Sequence, residues 1–437
     1  MLARFVRALS TCSKHVASKI FNKGRKLGAE VGRAVCKKIV NEVREKVDGQ
    51  PTRTGLGRRI RLNKTRRRMA LISLACAFTV ACSGSEHVAQ KLEPQTGPDR
   101  VLVVVNSQSA ASDTVGHYYV EQRKIPASHV VRIDVAVEDD ISELEYRAKI
   151  LAPIKQAIDA LPVRIDFIVL ITGVPLRIGG KRGYSVDAFV AGMHFLFPPM
   201  VGYDTTWLAR NKNPYFATNE PFNSDRFNMY LVTRLDCGQV LDCLALVDNS
   251  INAKPARGLF FFDAAEPNMA DVGYRTKNRT LVNAAEQLRA AGADVSIDTT
   301  ARFVSPTQSL MGYVSWGSND SNYDSTAYHA LRFLPGALAE TFVSTSARTF
   351  GPTDGGQSRI VDLISQGVTG VKGYVSEPYT IALAYPEILF NHYLRGYTLA
   401  ESFYAASRMV LWKDVIIGDP LCAPYAPPGA TPSTVLR

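Results

Sequence analysis

The chain has 437 residues, 46% of them hydrophobic, enough for a large buried core and more than one domain. Its formal net charge of +11 is unevenly placed: residues 1–68 hold 20 Lys/Arg against 4 acids, leaving 31 bases and 36 acids in the rest. An electrostatic footprint for DNA or RNA belongs on the folded part, which is mildly acidic here, so nucleic acid is excluded as its partner.

The apolar residues of 1–68 are too scattered to predict a fold. The stretch reads either as an extension lying on anionic lipid or as a start assigned too early, with translation beginning near Leu62 or Met69. Arg66-Arg67-Arg68 then precedes a 12-residue apolar run, Ala70 to Ala81, that ends in Thr79-Val80-Ala81-Cys82. A basic cluster, a short apolar core and small residues before the cut predict a secretory signal over 69–81. Such a run cannot cross a bilayer core of about 30 Å as a helix. The cysteine after Ala81 resembles a lipoprotein box, although Thr79 stands where that pattern usually has Leu; the competing reading is a plain signal peptide with an incidental cysteine. The resemblance implies acylation of Cys82, a tether over 82–99 and a membrane partner reached through the lipid. Ser83 after the cysteine, where Asp would retain the protein, points to the outer membrane of a cell envelope.

From Val101 the text alternates apolar strands with helical stretches, which predicts an α/β fold: two adjacent mostly parallel sheets, or one long sheet, flanked by helices. A first α/β domain is expected over 100–227. It has strands at Val101–Asn106, Val130–Val135 and Ile165–Thr172, helices at Ser112–Lys124 and Ser142–Ala160, and an irregular insertion over 177–227. A second is expected over 228–428. Its strands are Asn228–Leu235, Gly258–Asp263, Asp294–Ile297, Met311–Trp316, Phe342–Ser346, Val368–Val375 and Val415–Ile417. Its helices are Val240–Ile251, Asn278–Ala291, Ile360–Ser365 and two starting at Pro386 and Leu399. Residues 429–437 read as a tail. Loops should gather at the carboxyl ends of the strands, where open α/β sheets bind ligands.

Cysteines stand at 12, 36, 76, 82, 237, 243 and 422. None has the spacing of a zinc site, and only Cys237 and Cys243 are near enough in sequence to suggest a small-loop disulfide in an oxidising compartment.

Asn106-Ser107, Ser112-Asp113, Tyr118-Tyr119, Arg123-Lys124-Ile125-Pro126, Gly173 to Arg177 and Ser185-Val186-Asp187 resemble segments of one uncharacterised family of bacterial exported proteins, known only by a numbered designation. So do Arg234-Leu235-Asp236, Phe262-Asp263, Gly312 to Asp320, Glu377-Pro378 and Gly418 to Leu421. The likeness runs from about Val101 to Tyr425 and implies no activity. A more distant resemblance is to caspase-fold cysteine peptidases of the gingipain type. There a His-Gly follows one strand, a Cys ends the next, and Gly-Asp-Pro lies near the end of the unit. The matching places here read Trp316-Gly317, Ser344-Thr345-Ser346 and Gly418-Asp419-Pro420. Both dyad residues are missing, and an indole cannot shuttle the proton a thiol nucleophile needs.

The resemblance therefore implies a caspase-like fold without its dyad: an envelope component that binds an unknown ligand or protein. The alternative is a hydrolase of peptide or glycan using Ser346 or an acid pair. Candidate catalytic residues are Ser344, Ser346 and His329, although no Gly-x-Ser-x-Gly elbow accompanies the serines. The candidate pocket comprises Asp113, Arg123, Arg234, Asp236, Trp316, Asn319, Asp320 and Glu377; the competing reading makes the charged members structural ion pairs. Asp320, Asn322 and Asp324 alternate like calcium ligands, but the sixth-position Gly and twelfth-position acid of such a loop are absent. No cofactor is expected beyond that weak calcium candidate.

Overall fold

The computed structural model describes residues 97–197, 211–265 and 271–427. The leader, Cys82 and the tail over 429–437 lie outside the described residues, as does most of the tether.

The strands form in the order β1 (Val101–Asn106), β2 (Val130–Ile133), β3 (Asp140–Ile141), β4 (Phe167–Ile171), β5 (Arg177–Ile178), β6 (Tyr184–Ser185), β7 (Leu231–Leu235), β8 (Leu259–Asp263), β9 (Val295–Asp298), β10 (Leu310–Ser315), β11 (Phe333–Thr341), β12 (Gly370–Tyr374) and β13 (Asp414–Ile417). Ten of them make one sheet in the order β2-β1-β4-β7-β13-β12-β11-β10-β8-β9, and β3-β5-β6 make a small separate one. The expectation of two sheets or one long one thus resolves to the long sheet, and the boundary expected at 227/228 falls within it. Pairing is parallel except that β13 runs antiparallel to β12; β13 meets β7 through the single pair Ile417–Arg234. β1, β4, β7, β8, β10 and β12 are buried at every position. Such unbroken apolar runs suit a parallel sheet covered on both faces.

The helices are α1 (Ala110–Arg123), α2 (Glu143–Glu145), α3 (Ala152–Ala160), α4 (Val186–Ala191), α5 (Ser224–Phe227), α6 (Val240–Ile251), α7 (Val272–Ala290), α8 (Ser325–His329), α9 (Ile360–Ser365), α10 (Pro386–Leu394) and α11 (Leu399–Ala406). The helix expected over Ser142–Ala160 is interrupted by a π-helical stretch, Tyr146–Leu151. Pro153 follows it and has no N–H to continue the regular ladder. Helices cover both faces: a Cβ on Gly370 would strike Leu399 of α11, and one on Gly373 would strike Ile360 of α9. Ser109 caps α1 and Asp271 caps α7, each side chain accepting from backbone N–H groups of the first turn.

One strand differs from expectation. Phe342–Ser346 is not a strand; the strand is β11, Phe333–Thr341. Pro335 and Gly336 break its apolar run, and pairing with β10 slips between Leu310–Phe333 and Gly312–Leu338. That irregularity hides the strand and leaves Phe342-Val343 as the conspicuous apolar pair.

Candidate functional site

β10 and β11 are parallel neighbours, so the chain leaves both at the same edge of the sheet, with Ser315 opposite Thr341. The turns after them, 316–320 and 342–346, lie side by side. Gly317 has φ +47°, and a Cβ there would sit 2.7 Å from Ser358 Oγ and from Val343; the contact of the turns requires glycine. Asn319 Nδ2 donates to the Phe342 carbonyl at 2.7 Å, Gln357 Nε2 donates to Asn319 Oδ1 at 2.7 Å, and Thr345 Oγ1 donates to Gln357 Oε1 at 2.6 Å. Ser358 N donates to Ser318 Oγ at 2.8 Å. Ser318, Asn319, Thr345, Gln357 and Ser358 are all half-buried. The result is a shelf of amides and hydroxyls at two strand ends, braced by Arg348, whose guanidinium donates to the Thr345 and Gln357 carbonyls.

Trp316 forms the wall behind this shelf. Its ring is 1% exposed, stacked on Tyr274 of α7 and met edge-on by Phe342. Its Nε1 donates to Asn278 Oδ1 at 2.6 Å. The indole is therefore packed, not open.

The serines and the histidine are not brought together. Ser346 is fully buried, its Oγ accepting from Tyr374 N at 3.3 Å. Ser344 is half-buried. His329 is exposed on α8, with Nδ1 2.7 Å from its own helix's Ser325 carbonyl and Nε2 3.8 Å from Asp362. A serine nucleophile needs a base in hydrogen-bond reach, and neither serine has His329 there.

The cysteines among the described residues are equally closed. Cys237 and Cys243 form a disulfide. Cys422 is fully buried beside the Tyr393 hydroxyl at 3.4 Å, and burial pushes its thiol up to about 12. Such a group is inert at neutral pH.

The remaining expected pocket residues are spread over the sheet. Asp113 pairs with Arg132 on the surface, and Arg123 pairs with the buried Asp419, which also accepts from Tyr119. Arg234 is fully buried between Asp187 (2.6 Å) and Asp236 (3.1 Å) and donates to the Val174 and Pro175 carbonyls. Burial opposes its charge, but the Asp187 and Asp236 carboxylates outweigh that and hold it protonated; burial raises Asp236 itself. Between β7 and β10 lie β13, β12 and β11. Four strand spacings separate Arg234 from Trp316 by about 19 Å, so the two do not line one pocket. Asp320 accepts from Asn322 N at 2.8 Å, and Asp324 caps α8; their oxygens serve local turns. Among the described residues no group of three His, Cys, Asp or Glu is placed to hold a metal ion. Glu377 is exposed and accepts from Tyr379 N at 2.8 Å.

A buried charged cluster escaped the sequence reading: Glu340 of β11, Lys372 of β12, Lys277 of α7 and Asp414 of β13. Lys372 Nζ lies 3.0 Å from Asp414 Oδ2 and donates to the Ala382 carbonyl and Ser407 Oγ. Glu340 Oε1 accepts from Tyr374 Oη and Ala384 N, while Oε2 has no partner. A charged residue inside a strand ordinarily marks a solvated face; the available signal was Lys372, set in Gly370-Val371-Lys372-Gly373 of a central strand.

No family model matches the chain, and no curated protein matches it. One solved structure, described as a protease, is similar over 75% of this chain and 78% of its own, at 12% identity and a TM-score of 0.43. That likeness is too slight to assign chemistry. No helix among the described residues is long and apolar enough to cross a membrane.

Proposed function

We propose that the protein is a lipid-anchored envelope component, acylated at Cys82, that binds a ligand and does not cleave it. In this reading it belongs with the numbered family of exported proteins, on a caspase-like frame whose dyad is lost. The observation that carries the reading is the edge where β10 and β11 end. A peptidase of that type would hold its imidazole and thiolate there, and this chain has a packed indole, a buried Ser346 and the amide-hydroxyl shelf. Among the described residues thiol chemistry lacks an open nucleophile, since Cys237 and Cys243 are bonded and Cys422 is buried.

The shelf suits a neutral ligand rich in amides and hydroxyls, a peptide or glycan chain, because the side chains of Ser318, Asn319, Thr345, Gln357 and Ser358 are uncharged donors and acceptors and the nearby Arg348 guanidinium is engaged by the Thr345 and Gln357 carbonyls. The test is calorimetric titration with uncharged N-acetylated oligosaccharides and with short peptides blocked at both ends. Binding to the wild type that is lost in an Asn319→Ala, Gln357→Ala double variant supports the reading. Binding that survives in the folded double variant, or no binding to the wild type, overturns it.

A further inference from the structure

The segment between β12 and α10, Ser376 to Tyr385, crosses the sheet edge beside Trp316 and is held down by buried charged side chains. Lys277 Nζ donates to the Leu383 carbonyl at 2.7 Å and lies 3.7 Å from the Tyr385 ring centroid. Lys372 Nζ donates to the Ala382 carbonyl at 2.9 Å, and Ala384 N donates to Glu340 Oε1 at 3.2 Å. These contacts grip consecutive residues of the segment from below. At its outer end Trp412 Nε1 donates to the Pro378 carbonyl at 2.8 Å. Tyr379 is 47% exposed and has φ +58°, a left-handed conformation costly for an aromatic residue. A Cβ on Gly273 would strike Thr380, so the segment also packs against the turn carrying Tyr274, on which Trp316 stacks.

We propose that Ser376–Tyr385 is a latch over the Trp316–Tyr274 wall, fastened by Glu340, Lys277 and Lys372 and loosest near neutral pH. Glu340 and Lys277 are 0% and 2% exposed with the latch in place, and opening returns both to water. Burial pushes the Glu340 carboxyl up to about 7 and the Lys277 ammonium down to about 7. Glu340 is faced by Lys372 and Tyr374 of β12 and Lys277 of α7; Lys277 is faced by Glu340, Lys372, Glu387, Arg408 and Tyr385; Asp414 faces Lys372. Opening returns Glu340 to about 4.3, so from there up to about pH 7 the open form releases a proton and opening becomes easier as pH rises. Opening returns Lys277 to about 10.4, so from about pH 7 upward the open form takes up a proton and opening becomes harder again. The latch is independent of the ligand-binding reading, since its contacts are within the chain.

The test is amide hydrogen exchange on the full chain, corrected for intrinsic exchange. Protection of 376–385 should be lowest near about pH 7 and rise by up to about tenfold per pH unit on either side, at levels well below those of the β1 amides, which open only with the whole fold. Glu340→Gln, which keeps an acceptor for Ala384 N, should lose the acid limb alone; Lys277→Met should lose the alkaline limb alone. Should one variant fail to fold, the other still tests its limb. Protection of 376–385 that is flat with pH in the wild type, or limbs that persist in the folded variants, overturns the latch.

Discussion

Trp316 and Tyr274 stack face to face, with ring centroids 4.0 Å apart and planes 7° apart. The pair ties the end of β10 to the first turns of α7. Because the indole is buried, Trp316→Ala should cost about 3–5 kcal/mol of stability. Trp316→Phe keeps a ring in the stack and should lose little beyond the hydrogen bond to Asn278, about 1 kcal/mol. Denaturant midpoints of the two variants separate these losses; equal, small shifts would show that the ring is not packed.

Arg234 is the charge on which the centre of the sheet depends. Its removal in Arg234→Met leaves Asp187 and Asp236 facing each other in the core without a cation. The expected loss is about 3–5 kcal/mol, read as a lower urea midpoint at unchanged slope. A loss within experimental error would mean that the carboxylates find another partner.

The Cys237–Cys243 disulfide closes a short loop at the start of α6, with a sequence separation of 6. Replacing both residues by serine should lower stability by about 2 kcal/mol through the freed unfolded chain. Thermal unfolding of the double variant, compared with that of the disulfide-bonded wild type, checks the value.

Much of this architecture was legible in the sequence. β1 lies where its apolar run places it, because a strand buried on both faces leaves unbroken apolar text, and α6 covers the expected Val240–Ile251. β11 was hidden by Pro335 and Gly336, which bend it without ending it. α7 starts at Val272, six residues before the expected Asn278, because its cap Asp271 is followed by Gly273 and polar residues that conceal the periodicity. The site was harder to read. Trp316, Asn319 and the Ser344–Ser346 stretch were placed at one edge by strand order alone, but Gln357 and Ser358 reach it from a distant loop, and Glu340 and Lys277 find each other only through tertiary packing.

The proposed acylation at Cys82 rests on the succession of basic cluster, apolar run and small residues before that cysteine. Metabolic labelling with an alkyne fatty acid should tag the wild type and leave Cys82→Ser untagged. Equal labelling of both, or of neither, would remove the anchor from the account.

The central claim, that the edge beyond β10 and β11 binds but does not cleave, is tested most directly by covalent probing of the native chain. The folded protein is incubated with excess fluorophosphonate and with iodoacetamide, and its intact mass is measured. For the mature chain that begins at acylated Cys82, the account predicts an unmodified mass with both reagents, and one alkylated site, Cys422, once denaturant exposes the thiol that burial holds at about 12; Cys12, Cys36 and Cys76 lie before the cut and are absent from that chain. A single native adduct mapped to Ser344, Ser346 or Cys422 would contradict it.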